Sequence, residues 1–110
     1  MRILHITSHL NVGGVARHVL SVAQALSRRG HEVMLASGGG ELEGEARAHG
    51  LSHWPAPLRT SVEFSPQVFS AIRRLTGRVH TAPVEVIHAH TRVAQVVADQ
   101  LSRRLGIPYV

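Results

Sequence analysis

The sequence has no cysteine and no lysine among its 110 residues, and only 4% of them are aromatic. Without cysteine there is no disulfide framework and no thiolate metal or redox centre, a usage that fits a reducing compartment. Without lysine a phosphate-cradling P-loop is excluded. The scarcity of aromatic rings leaves too few platforms for stacking bases, and no nucleic-acid reader motif is present. Long apolar runs are missing too. The stretch 3–10 is broken by His5, Thr7, Ser8 and His9, too polar for a membrane span or a signal-peptide core. A soluble cytoplasmic domain is the expectation.

Hydrophobic residues make up 44% of the chain and charged residues 17%, which excludes a disordered or fibrous protein. The length allows one domain with a single core, or a piece of a larger one. Within it, local patterns alternate. Residues 2–8 are short and rich in aliphatic and β-branched side chains, the pattern of a strand buried on both faces. From Val15 onward the apolar residues Val15, Val19, Val22, Ala23 and Leu26 recur at helical intervals, and Gly30 ends the pattern.

The unit then repeats. Residues 32–37 form a second strand, followed by Gly38-Gly39-Gly40 and a polar helix over 41–49. The glutamates at 41, 43 and 45 favour the positive end of that helix, and Gly50 stops it. A brief third strand covers 51–54, and a loop runs from Pro55 to Ser61. Ser65-Pro66 opens a third helix that carries Val68, Phe69, Ile72 and Leu75 inward and ends at Gly77. Residues 83–88 lead through a fourth strand. Thr91 caps a fourth helix with Val93, Val97, Leu101 and Leu105 on its buried stripe, closed by Gly106. Residues 107–110 begin a fifth strand. Strand and helix in alternation predict an α/β, Rossmann-like doubly wound parallel sheet with strand order 3-2-1-4-5, truncated at the fifth strand.

The net charge of +5 comes from 12 arginines against 7 acidic residues. Arg28-Arg29, Arg73-Arg74-Arg78 and Arg103-Arg104 fall in or just past the last turns of helices, at the pole away from a ligand crevice. Interaction with the helix dipoles accounts for those positions, so a nucleic-acid partner is not expected. Histidines gather at the other pole. His9, His53, His88 and His90 lie at or just beyond strand C-termini, and His18 sits in the first turn of the first helix. Open α/β sheets bind ligands there, at the switch point between strands one and four. That topology sets Gly13-Gly14 beside His88-Ala89-His90.

Gly13-Gly14 precedes a helix N-terminus, where bare backbone N–H groups can approach a phosphate or sugar. The spacing is not Gly-x-Gly-x-x-Gly, and Ser37-Gly38 supplies no acid for a ribose, so a dinucleotide site is disfavoured. His88 and His90 sit at i and i+2, on one side of a strand. Two imidazoles fall short of a metal site, and no metal or cofactor is assigned. Hydrogen bonding to a polar ligand or to nearby backbone is the preferred role. His5, mid-strand, reads as a satisfied core histidine, while His31, His49 and His80 read as surface or turn residues. Gly38-Gly39-Gly40 reads equally as a ligand-admitting loop or a plain one.

Taken in order, these motifs resemble the N-terminal domain of family-4 retaining glycosyltransferases, which have the two-domain GT-B fold. The family pattern is a strand, a Gly-Gly loop, an Arg-His pair on the helix and an exit of the form A-L-x-x-x-G-H-E-V. Here these are Gly13-Gly14, Arg17-His18, Ala25-Leu26 and Gly30-His31-Glu32-Val33. The later segment resembles D-V-V-H-A-H followed by a helix and G-I-P-x-V, matched by His88-Ala89-His90 and Gly106-Ile107-Pro108. Ala16 stands where the family often has Glu before the Arg-His pair, and Glu85 stands where Asp is usual.

The resemblance implies transfer of a sugar from a nucleotide-sugar donor to an acceptor with retention of configuration, typically without a bound metal. It makes His9, Asn11, Gly13, Gly14, Arg17, His88, His90 and Thr91 the candidate substrate-binding residues of an incomplete, acceptor-side domain spanning 1–110. The family's active-site histidine is expected beyond Val110, as is a second domain carrying most donor contacts. The 110 residues alone are expected to be inactive, and an uncovered strand edge is expected to favour self-association. Because family members often modify lipid-linked acceptors, peripheral contact with the inner membrane face belongs to the same expectation. Two alternatives stay open: a stand-alone α/β nucleotide-binding or regulatory module, and another GT-B enzyme such as a sugar-nucleotide epimerase.

Overall fold

The computed structural model describes residues 1–60 and 65–110; Ser61, the end of the expected loop, lies outside them. The elements run β1 (Arg2–Ile6), α1 (Gly14–Arg28), β2 (Glu32–Ser37), α2 (Glu43–Ala48), β3 (Ser52–Pro55), α3 (Pro66–Thr81), β4 (Val86–Ala89) and α4 (Arg92–Leu105). All strand pairs are parallel, in the order β3-β2-β1-β4. β1 is therefore central. It aligns Ile3 with Val33 on one side and with Val86 on the other.

Strand alternation divides the side chains between two helical layers. Leu4, Ile6, Met34, Ala36, Trp54 and Ile87 pack with the apolar faces of α3 and α4. Val33 and Leu35 pack instead against Ala16, Val19, Leu20 and Ala23 of α1 and against Leu42 and Ala46 around α2. Helices thus cover both faces of the sheet, as the alternating pattern predicts. Each fully buried leucine or isoleucine here contributes roughly 1.5–3 kcal/mol through burial.

Two of the expected glycine stops, Gly30 and Gly50, are confirmed in detail. Past α1, His31 N–H donates to the Leu26 carbonyl and Gly30 N–H to that of Ser27. Past α2, Leu51 N–H donates to Ala46 and Gly50 N–H to Arg47. Both are paired closures that require the glycine in a left-handed turn, and Gly30 and Gly50 have φ of 91° and 80°.

Some expectations need correction. α3 does not end at Gly77 but continues to Thr81, because Val79 still reaches the core; a mid-helix glycine costs only about 1 kcal/mol. Arg73 and Arg74 therefore lie mid-helix rather than in a last turn. Arg74 instead extends toward the Pro55 carbonyl, at the C-terminal end of β3. Val15 and Phe69 point outward, 52% and 55% exposed, since the buried stripes turn toward Ala16 and Leu20 in α1 and toward Ala71 in α3. Glu41 precedes α2 instead of lying within it. β3 begins at Ser52, and β4 covers Val86–Ala89 rather than 83–88. No fifth strand forms among the described residues. Residues 108–110 nonetheless run beside β4, with a single parallel bridge from Tyr109 to Ile87. One bridge is too short a ladder to make a strand, but it occupies the expected fifth position.

Candidate functional site

β1 is followed by a helix on one face and β4 by a helix on the other, so the β1–β4 seam is the switch point where such sheets open. His5 aligns with His88 across that seam, and His90 follows two residues later on the same side. The three rings touch. His5 and His88 have centroids 5.1 Å apart, His5 and His90 5.1 Å, and His88 and His90 4.2 Å. His5 Nδ1 and His90 Nε2 are 2.8 Å apart, a hydrogen bond in which one ring donates and the other accepts. His18, in the second turn of α1, meets His90 edge-on at 6.2 Å.

His5 is wholly buried, and its Nε2 finds no hydrogen-bond partner. Burial, reinforced by His90 and His88, pushes its pKa down to about 3. Burial likewise lowers His90 to about 4, helped by His88 and His18. His88 is lowered by burial and by His18. At neutral pH all three rings are uncharged, with ring nitrogen lone pairs available to a ligand.

The glycine pair behaves as a backbone surface. Gly14 is the first residue of α1, and a Cβ there would meet nothing within 4 Å. A Cβ on Gly13 would meet only the Asn11 carbonyl, at 4.0 Å. No internal crowding requires either glycine, so the bare backbone is open to outside approach. The triglycine loop is different. A side chain at Gly40 would collide with the Leu10 and Asn11 backbone, and Gly38 N–H donates to the Ser8 carbonyl. Gly38-Gly39-Gly40 fastens the two loops together and is structural.

The remaining candidates are spread around this mouth. His9 Nδ1 accepts the Asn11 N–H at 3.1 Å. Arg17 turns to α2 and pairs with Glu45 at 2.7 Å, away from the histidines. Thr91 caps α4 by accepting the Ala94 N–H, and its hydroxyl lies 2.9 Å from that of Ser8. A cleft of about 480 Å³ opens here, lined by Ser8, His9, Arg59, Thr60, Thr91, Arg92 and Val93. Arg59 and Arg92 escaped the sequence reading. Arg92 occupies the first helical position of α4, where the dipole disfavours a cation, and that placement is visible in the sequence.

A second polar group forms behind β2. Ser37 Oγ lies 2.7 Å from His53 Nε2, and His53 Nδ1 is 3.4 Å from Glu43. Ser37 is wholly buried and accepts the Gly39 N–H, so this hydroxyl holds the loop instead of facing a substrate.

A doubly wound parallel sheet with a histidine cluster at its switch point defines an open, Rossmann-like α/β domain. Residues 12–110 match the model of Glycosyltransferase Family 4, and the chain belongs to that family. Its fold is similar to a glycosyltransferase from Rickettsia africae, with a TM-score of 0.78 and 19% identity over 97% of this chain. It also resembles Anabaena Alr3699/HepE in complex with UDP and glucose (TM-score 0.70, 18% identity, 99% of this chain). Acinetobacter baumannii MurG is a further likeness, with a TM-score of 0.74 and 14% identity over 99% of this chain. The chain spans 28% of the length of the first two and 34% of the third. No curated protein matches the sequence. No helix among the described residues is long and apolar enough to cross a membrane.

Proposed function

We propose that the chain is the acceptor-side domain of a retaining glycosyltransferase of GT-B architecture, which moves a sugar from a nucleotide-sugar to an acceptor. The observation that carries this reading is the family match across residues 12–110. The fold relative crystallised with UDP and glucose supports a uridine nucleotide-sugar as donor. In this reading the Gly13-Gly14 backbone and the α1 N-terminus face the donor diphosphate. His88 and His90 offer hydrogen bonds to the sugar side. His9, Arg59 and Arg92 line the cleft on the other side of the seam, where an anionic group of the acceptor or donor would be held.

In this reading transfer needs an opposing lobe as well, and residues 1–110 by themselves are expected to be inactive. Incubating the purified chain with UDP-sugars and a panel of acceptors tests this: sugar transfer by the isolated chain overturns the claim. Titration with UDP, followed by backbone amide NMR, tests the site. Shifts centred on Gly13, Gly14 and His90 support it, and shifts confined to other surfaces refute it. Self-association and contact with anionic membranes belong to the same reading, and light scattering and vesicle flotation check them.

A further inference from the structure

We propose that His5, His88 and His90 are the ligands of a transition-metal site, with zinc as the ion best suited to it. One ring nitrogen from each residue lies within 4.8 Å of the other two. The sequence offered only the His88 and His90 pair. β1–β4 register supplies the third imidazole, from a residue more than 80 positions earlier.

The donor set is entirely imidazole, which suits zinc, copper or nickel and does not suit magnesium or calcium. In tetrahedral zinc sites the metal–nitrogen bonds are about 2.0–2.1 Å, which places ligand nitrogens about 3.3 Å apart. No pair therefore needs to close by more than about 1.5 Å, while His5 Nδ1 and His90 Nε2, at 2.8 Å, part by about 0.5 Å to hold such an ion. Two of the rings can do so readily, because His88 and His90 stand half-buried at the end of β4. His5 is fixed in the sheet and wholly buried, with Nε2 lacking any partner. Its Nδ1, the nitrogen that meets His90, is the atom it would offer to the ion, in place of the hydrogen bond between the two rings. Three protein ligands leave a fourth position open toward the mouth, to be filled by water. The ion would bind β1 to β4 at the seam from which both site loops depart. This inference stands apart from the transferase reading, since family resemblance implies transfer without metal.

The test is a titration of the purified chain, stripped with chelator, using cobalt chloride followed by zinc chloride. Expected are one cobalt per chain, the visible absorption of tetrahedral cobalt, and its loss on adding one equivalent of zinc. His88→Gln and His90→Gln are each expected to weaken binding about tenfold or more, a loss at least as large as that for supporting residues of metal sites. His80→Gln, an exposed change on α3, is expected to leave binding unaltered. NMR of the imidazole protons in the unsubstituted chain gives a readout that does not depend on any variant folding. Zinc should shift His5, His88 and His90 and leave His49 and His80 in place. The proposal fails if no saturable binding occurs below about 1 mM ion. It also fails if both glutamine variants bind as the parent does, or if zinc shifts only His49 and His80.

Discussion

His5 and His90 share a hydrogen bond of 2.8 Å across 85 positions of sequence, joining the middle of the first strand to the residue just past the fourth. The contact exists because β1 lies beside β4, and it draws a buried side chain to the edge of the site. Around it the fold is ordinary, and most of its polar groups serve caps and loops. The pair therefore makes a sensitive probe of the seam.

Acidification should destabilise the metal-free chain earlier than paired carboxylates alone would cause. His5 and His90 titrate near 3 and 4 when folded and near 6.5 when unfolded. Below pH 6.5 the unfolded state takes up protons first, so their contribution is complete above 6.5 and is lost as pH falls toward 3–4. Urea midpoints measured in chelator at pH 7.5, 6 and 5 should fall steadily. His90→Gln should flatten the trend, and a flat profile in the parent chain would contradict the burial of these rings.

Two glycines should respond in opposite ways. Gly14→Ala meets open space and replaces a poor helix former, so stability should rise by a few tenths to about 1 kcal/mol. Gly40→Ala faces the Leu10 and Asn11 backbone at φ +154°, and should cost more than about 1 kcal/mol. Thermal melts of the two variants decide the point. Under the proposed function, Gly14→Ala should also weaken donor binding, despite the sounder fold.

Thr91→Ala removes the acceptor for the Ala94 N–H and the hydroxyl contact with Ser8. A loss of about 1 kcal/mol is expected from the cap. Thr91→Ser keeps both contacts and should recover most of it. If the serine variant melts with the alanine variant, the cap is not what Thr91 supplies.

The α4 core can be set against the α3 surface. Leu101 is fully buried between helix and sheet, and Leu101→Ala should cost about 2–5 kcal/mol. Phe69, more than half exposed, should tolerate Phe69→Ser with a change within about 0.5 kcal/mol. Chemical denaturation of both variants would expose a misplaced Phe69 at once.

Much of the architecture was legible in local pattern. The Val93, Val97 and Leu101 stripe placed α4 correctly, and Thr91 and Gly106 marked its two ends, because caps and apolar periodicity act within a turn or two. The same logic misjudged Gly77, where the packing of Val79 outweighed the local preference of a glycine. It also misplaced Phe69, since helical spacing alone does not fix which edge of a stripe meets the sheet.

Composition and periodicity by themselves determined the class of fold and the order of its elements. They could not determine that His5 would join His90, that Arg17 would turn to Glu45, or that Arg59 and Arg92 would share a cleft. Those outcomes depend on which strands become neighbours and in what register, and that choice is made by the packing of the whole chain.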